Sequence, residues 1–122
     1  MGKFVIRKTA TGVKFDLKAG NGETIATSEV YETEAACRKG IESVRKNAQK
    51  AKMLDLTREE SAVVTNPKFE LFQDKQGAFR FRLKARNGGV IAVSESYSTK
   101  AACCGGIESV RNNAPDAQIE IE

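Results

Sequence analysis

A six-residue segment that occurs twice constrains this chain more than any other feature. Gly-Ile-Glu-Ser-Val-Arg spans residues 40–45 and returns at residues 106–111. The agreement extends well beyond it, because residues 17–48 and 83–114 are identical at 22 of 32 positions. A match of this extent indicates a tandem duplication. The fold must therefore be built from two copies of one unit.

Each copy opens with alternating apolar and polar side chains, which is typical of β-strands. The alternation runs through residues 4–8 and 14–19 of the first copy, and through 69–72 and 79–86 of the second. Third strands are predicted at residues 25–28 and 90–94. Gly12 and Gly77 separate the first two strands, and Asn-Gly pairs at 21–22 and 87–88 precede the third, where a tight hairpin needs a positive φ. Each copy thus begins with a three-stranded antiparallel meander.

The periodicity becomes helical after Thr33 and Thr99, the predicted N-caps. Every third or fourth residue is then apolar, and the two stripes consist of Cys37, Ile41, Val44 and Ala48 and of Cys103, Ile107, Val110 and Ala114. Pro115 ends the second helix. Short alternating segments at 52–57 and 118–122 predict a fourth strand, so the unit is β-β-β-α-β.

The repeated segment is interpreted as structural. Glycine in a helix interior costs about 1 kcal/mol relative to alanine, so Gly40 and Gly106 are expected to permit a close approach of the helix to its sheet or to the other helix. The core positions of the segment are Ile41, Val44, Ile107 and Val110. Glu42, Ser43 and Arg45 are left for the surface.

Composition narrows the classes of protein without naming a function. The 122 residues include no apolar run of transmembrane length and no signal peptide, which predicts a cytoplasmic protein without a membrane role. The three cysteines are an odd number without zinc spacing and are interpreted as reduced thiols. The net charge of +4 is mildly basic, so any role in binding polyanions depends on where the charges lie.

Three motifs occur in the same order in both copies: Phe-x-Leu-Lys-Ala-x-Asn-Gly, Ile-Ala-x-Ser-Glu-x-Tyr, and Gly-Ile-Glu-Ser-Val-Arg-x-Asn-Ala. Together they resemble the YegP-like family of small, functionally uncharacterised, mostly bacterial proteins. The resemblance covers residues 3–57 and 68–122. It implies an α+β fold in which two units merge into one mostly antiparallel sheet, pack two helices on one face and exchange their C-terminal strands. The family supplies no catalytic residue that transfers to this chain.

An exchange of C-terminal strands between the two units agrees with the size of one unit, since about 55 residues with a single helix would scarcely close a core alone. We therefore expect a first repeat at residues 1–57 (the first copy), a linker at 58–66 and a second repeat at 67–122 (the second copy), together forming one structural domain. An internal pseudo-two-fold axis predicts a monomer.

Catalytic chemistry has little support in the sequence. There is no histidine, nucleophile elbow, phosphate loop or metal-ligand spacing, so no catalytic residue, cofactor or metal is predicted. Ser28-Glu29 and Ser94-Glu95, with Tyr31 and Tyr97 nearby, are interpreted as a turn into each helix. Cys104 lies one residue off its apolar stripe, and a redox role for it is a further alternative.

The second strand of the second copy carries the most distinctive surface. Arg80, Arg82, Lys84 and Arg86 alternate with apolar residues, and the alternation puts Phe72 on the same outward face. The equivalent strand of the first copy offers only Lys14, Asp16 and Lys18. Glu70, Asp74 and Glu120 are candidate partners for the arginines. We favour a non-enzymatic binding or structural module whose ligand is unknown; the alternative is weak binding of nucleic acid or another polyanion at this basic face.

Overall fold

The computed structural model describes residues 2–58 and 64–122, and within them each copy has the predicted order of elements. The first copy contains β1 (Lys3–Lys8), β2 (Val13–Lys18), β3 (Thr24–Thr27), α1 (Glu34–Ala48) and β4 (Lys52–Asp55). The second contains β5 (Lys68–Gln73), β6 (Phe79–Lys84), β7 (Val90–Ser94), α2 (Lys100–Asn113) and β8 (Gln118–Ile121). The third and fourth strands differ from prediction by one or two residues at their ends. Residues 59–63 of the predicted linker lie outside the described residues.

The eight strands form one mixed sheet in the order β4-β5-β6-β7-β3-β2-β1-β8. β4 pairs in parallel with β5 of the other copy, and β8 pairs in parallel with β1, while all other neighbours are antiparallel. The copies therefore exchange their C-terminal strands, and the predicted α+β fold is confirmed. Because the order reads the same from both ends, a pseudo-two-fold axis passes between β3 and β7.

The core lies between the sheet and the two helices. Phe4 and Phe15 meet edge to face in the first copy, with ring centroids 5.7 Å apart, and Phe69 and Phe81 repeat the contact at 5.8 Å. The helices close this layer with side chains that are 0–2% exposed, namely Ile41, Val44, Ile107 and Val110. Burial of each such side chain is worth about 1.5–3 kcal/mol. The predicted core positions of the repeated segment are confirmed.

Both helices begin where the sequence predicts. Thr33 and Thr99 have extended backbones, and each side chain accepts a hydrogen bond from the backbone three residues on, at 3.1 and 3.0 Å. Each cap satisfies one of the free N–H groups of a first helical turn. The two copies thus share their caps as well as their core.

The helical glycines permit a close approach of a tyrosine. A Cβ atom at Gly40 would lie 2.7 Å from Cζ of Tyr31, and one at Gly106 the same distance from Cζ of Tyr97. Each tyrosine ring in turn stacks near a core phenylalanine, with centroids 6.3 and 6.4 Å apart. The close approach expected of these glycines is therefore made to a side chain on the segment that precedes each helix.

The arginine of the repeated segment is structural, which corrects its assignment to the surface. Arg111 donates a 2.7 Å hydrogen bond to the carbonyl of Ala51, next to β4, and Arg45 donates to the carbonyl of Ala117, next to β8. The Arg45 guanidinium also lies 5.4 Å from the centroid of the Phe4 ring. Each helix therefore holds the start of the strand that the other helix delivers.

Candidate polyanion-binding face

The face of the sheet opposite the helices is defined by the strand register. Paired residues point to the same side of a sheet, so one continuous row crosses all eight strands. It consists of Leu54, Glu70, Arg82, Val93, Thr27, Asp16, Val5 and Glu120. The residues two positions away on the other strands complete this surface, which we call the open face; on β3 and β7 the register shifts, and Thr24 and Val90 continue it instead.

The open face carries a large excess of positive charge. Counted within the strand ranges above, it holds nine cationic side chains and three acidic ones, a surplus of six, whereas the whole chain has a net charge of +4. The cations are Lys3, Arg7, Lys14, Lys18, Lys52, Lys68, Arg80, Arg82 and Lys84. The acids are Asp16, Glu70 and Glu120. The net positive charge of the molecule is thus concentrated on one side of the sheet.

Several of these cations face one another directly across neighbouring strands. Lys52 is opposite Lys68, which is opposite Lys84, and the first copy pairs Lys3 with Lys18. Like charges directly opposite in a sheet are destabilising. The lysines at positions 52 and 68 were not among the predicted site residues. Extending the alternation from Glu70 and Phe72 back to position 68 would have found the second of them.

Glu70 is the centre of the charge network in the second copy. It is 5% exposed and lies 2.7 Å from Arg82, 3.4 Å from Lys84 and 3.5 Å from Lys68. Burial alone would raise the pKa of this carboxyl, but the hydrogen bond from Arg82 and the charges of Arg82 and Lys84 outweigh it and hold the pKa below its usual value. Three cations share one carboxylate, so this cluster stays net positive.

The predicted arginines and Phe72 lie together on the open face, except for Arg86. Arg80 donates two hydrogen bonds to the carbonyl of Ser94 at 2.9 and 3.2 Å, which fixes its side chain without neutralising it. The Arg82 guanidinium lies 4.6 Å from the centroid of the Phe72 ring, and Arg80 is the cross-strand neighbour of that ring. The three side chains form a cationic and aromatic patch.

Arg86 does not share this face, which corrects the predicted row of four cations. β6 ends at Lys84 after an irregularity in its pairing with β7, and Arg86 lies in the following turn against α1. Two of the expected acidic partners also differ. Asp74 accepts backbone hydrogen bonds in the β5–β6 turn, and Glu120 pairs with Lys3 at the far edge, at 3.1 Å.

On the open face, β2 of the first copy carries less positive charge than its counterpart β6. Arg7 donates a 2.8 Å hydrogen bond to Asp16, which also accepts one of 2.6 Å from Thr27. The hydrogen bond to Asp16 and the charge of Asp16 raise the pKa of the Arg7 guanidinium above its usual value. Lys14 and Lys18 remain the net positive positions of β2. The predicted asymmetry between the second strands of the two copies therefore holds in the arrangement of the charges.

The serine and tyrosine pairs have structural partners. Ser28 accepts a 2.9 Å hydrogen bond from the Phe15 backbone and donates one of 2.7 Å to the carbonyl of Glu29, and Ser94 repeats both contacts. Burial raises the pKa of Tyr31 and Tyr97. These groups are engaged in the turn into each helix, as the sequence interpretation has it.

The three cysteines are free thiols. Cys37 and Cys103 are fully buried, and burial raises the pKa of Cys37 and brings that of Cys103 to about 11. Cys104 is partly exposed, and its sulfur lies 3.8 Å from that of Met53.

In the part of the chain that the structure describes, no group of three or more acidic or cysteine side chains could hold a metal ion. None of the described helices has the length and apolar character needed to cross a membrane.

This architecture defines a class of protein, an eight-stranded α+β tandem repeat with exchanged strands, and the comparisons with known proteins identify its family. The model of a domain of unknown function, DUF1508, matches residues 9–55 and 74–120. The chain belongs to this family, whose members are also called UPF0339 proteins. A UPF0339 protein of Stutzerimonas stutzeri is 37% identical over 119 residues, which cover 97% of this chain and 94% of the relative.

Two further relatives show the range of the family. YegP of E. coli, described as a protein of unknown function, has a solution structure that matches with a TM-score of 0.79 at 33% identity, covering 99% of this chain and 92% of that one. A UPF0339 protein of Treponema denticola is 65% identical over 52 residues, which are 43% of this chain but 90% of the relative. The family therefore includes chains of a single unit. The descriptions of these three relatives specify neither a reaction nor a ligand.

Proposed function

We propose that this protein is a non-enzymatic binding module whose open face holds single-stranded nucleic acid. The observation that carries the proposal is the surplus of six cations on that face. Such a surface neutralises the phosphates of a nucleic acid and releases the cations condensed on them, which supplies most of the affinity of sequence-independent binding. We further propose that the protein acts in the cytoplasm as a monomer.

Nucleic acid is favoured over other polyanions because of the patch formed by Arg80, Arg82 and Phe72. Bases stack on aromatic rings and on guanidinium planes, and each stacked base contributes about 1–3 kcal/mol. Lys52, Lys68 and Lys84 cross three neighbouring strands beside this patch. Adjacent strands are about 4.8 Å apart, so these lysines form a closely spaced basic row for a phosphate backbone.

The proposal is tested by titrating a fluorescein-labelled single-stranded oligonucleotide and following its anisotropy between about 50 and 200 mM salt. We expect binding that weakens with salt by about 0.7 logarithmic units per phosphate contact for each tenfold increase in salt. Arg80→Gln should weaken binding more than Lys14→Gln, which changes the equivalent position of the first copy. Absence of binding at the lowest salt would reject the proposal.

A second variant distinguishes nucleic acid from other polyanions. Phe72→Leu keeps an apolar side chain but removes the stacking surface, so the affinity for the oligonucleotide should fall about fivefold, corresponding to ~1 kcal/mol. Heparin, which has no bases, should bind the variant and the parent protein equally. Equal losses for both ligands would show that Phe72 supports the face without contacting bases.

A further inference from the structure

A groove runs between α1 and the turn that joins β6 to β7. It contains three adjoining cavities of about 380, 280 and 180 Å³. The largest and the smallest share Lys46, Asn47 and Arg86 in their walls. The first copy supplies the helix and the second supplies the turn, so the groove exists only because the two copies pack together.

Four cationic side chains line this groove. Lys39, Lys46 and Arg86 border the largest cavity, and Lys50 joins the last two around the smallest. The acidic lining residue Glu42 is already paired with Arg45 at 2.9 Å. The groove is therefore strongly positive, and it lies on the helix side of the sheet, away from the open face.

The duplication supplies an internal comparison for these charges. In the aligned copies, the positions of Arg86, Lys39, Lys46 and Lys50 correspond to Gly20, Gly105, Asn112 and Asp116. A cation near the C-terminus of a helix is favoured by the helix dipole, but α2 has the same dipole and carries Asn112 and Asp116 there. The four cations are thus not required by the fold, because the equivalent site folds without them.

The groove also offers uncharged polar groups. Ser43, Asn47 and Asn87 line the largest cavity. Asn66 lines the smallest, and its side-chain oxygen is buried without a hydrogen-bond partner among the residues that the structure describes. A buried acceptor left without a donor costs about 1–3 kcal/mol. Its burial also keeps this oxygen out of reach of a ligand in the groove.

We propose that this groove binds a small organic phosphate that carries a hydroxyl group, such as a sugar phosphate. Lys46 and Arg86, which border the largest and the smallest cavity, hold the phosphate through charge-assisted hydrogen bonds. Lys50 adds a third positive charge, and the hydroxyl group lies against Ser43 and Asn87 in the wall of the largest cavity. The combined cavities match the size of ordinary small-molecule sites. This site shares no residue with the proposed nucleic-acid site, so either proposal can be rejected without affecting the other.

The test is a titration of the ¹⁵N-labelled full chain with glucose 6-phosphate, followed by amide chemical shifts. We expect saturable shifts at Ser43, Asn47 and Asn87. Glucose should produce none, and inorganic phosphate should bind more weakly because it lacks the organic part that contacts Ser43 and Asn87. Shifts scattered over the open face, or none at all, would overturn the proposal, as would equal affinity for phosphate and glucose 6-phosphate.

Variants complete the test. Lys46→Asn combined with Arg86→Gly installs the residues that the other copy carries at these positions, and it should weaken binding about tenfold or more. Lys8→Asn combined with Lys75→Asn removes the same charge at exposed positions outside the groove and should bind like the parent. Arg86→Gly alone, in a turn, is the second variant should the first fail to fold. Unchanged affinity in a folded Arg86→Gly protein would refute the assignment.

Discussion

At the scale of single residues, two neighbouring glycines of α2 lead to opposite expectations. A Cβ at Gly106 would lie 2.7 Å from Cζ of Tyr97 and 3.0 Å from Cε2 of Phe81. A Cβ at Gly105 would have no neighbouring atom within 4 Å in the part of the chain that the structure describes, apart from its own helix backbone and its chain neighbours. Both residues lie inside the helix, so alanine improves helix propensity at both by about 1 kcal/mol. Packing alone distinguishes them.

We therefore predict that Gly105→Ala raises the free energy of unfolding by up to about 1 kcal/mol. Gly106→Ala should lower it by about 1–3 kcal/mol, because the added methyl group forces Tyr97 and Phe81 apart from the helix. Urea denaturation followed by circular dichroism measures both changes. A Gly106→Ala protein as stable as its Gly105→Ala counterpart would show that the tyrosine contact does not limit the packing.

At the scale of elements, the strands and helices were predictable because each carries its own period. The apolar stripe through Ile41 and Val44 and the alternation through Phe79 and Phe81 indicate directly which side chains are buried. This is possible because side-chain direction repeats with a fixed period within one helix or one strand. The ends of the strands were less predictable. β3 begins at Thr24, and its pairing with β2 shifts in register between Leu17 and Lys18. Such a shift depends on the neighbouring strand and cannot be predicted from the alternation of one strand alone.

The partners of the charges were the least predictable part. Alternation correctly puts Arg80 and Arg82 on one face, but whether a carboxylate or a carbonyl meets each of them depends on the cross-strand register. The groove beside α1 was harder still to predict, because Lys46 and Arg86 come from different copies and lie near each other only in the folded protein. Comparing the copies position by position would still have found that these cations lack a counterpart in the other repeat.

The charge network of β5 and β6 leads to a prediction in which stability and binding change in opposite directions. Glu70→Gln leaves Arg82, Lys84 and Lys68 without their shared carboxylate, so the free energy of unfolding should fall by about 1–3 kcal/mol. The same change removes one negative charge and thereby raises the net charge of the open face by one, so affinity for the oligonucleotide at low salt should rise. Chemical denaturation and the anisotropy titration measure the two effects.

The matched control is Glu120→Gln, which makes the same substitution at the far edge of the open face. Glu120 and Lys3 are both well exposed, and exposed ion pairs contribute little to stability. Its free energy of unfolding should therefore be nearly unchanged, and its gain in affinity should be smaller than that of Glu70→Gln. Weaker oligonucleotide binding by Glu70→Gln would indicate that the ligand lies elsewhere.

At the scale of the whole molecule, the exchanged strands make each copy incomplete without the other. Among the residues that the structure describes, β8 pairs with β1 of the first copy and β4 with β5 of the second, and neither has another neighbouring strand. Arg45 and Arg111 then join each helix to the strand that the other delivers. We therefore expect the full chain to unfold in a single cooperative transition. If the protein is the monomer that we propose, this transition does not depend on protein concentration.

The same topology predicts the behaviour of one copy expressed alone. A chain of residues 64–122 has β5, β6, β7, α2 and β8, but β8 lacks the strand beside which it lies in the parent protein. Two such chains regain the eight-stranded order if β8 of each pairs with β5 of the other and the two β7 strands meet at the centre. The Treponema denticola relative, whose length is close to one unit, indicates that such a chain is viable.

We predict that this fragment forms a homodimer whose stability rises with protein concentration, because dissociation leaves each unit with an unpaired sheet edge and an open core. Light scattering after size-exclusion chromatography should give twice the mass of the fragment, and denaturation midpoints should increase on concentration. The full chain, as the control, should show neither effect. A folded monomeric fragment would mean that one unit closes its own core, and that strand exchange follows from the duplication without being needed for stability.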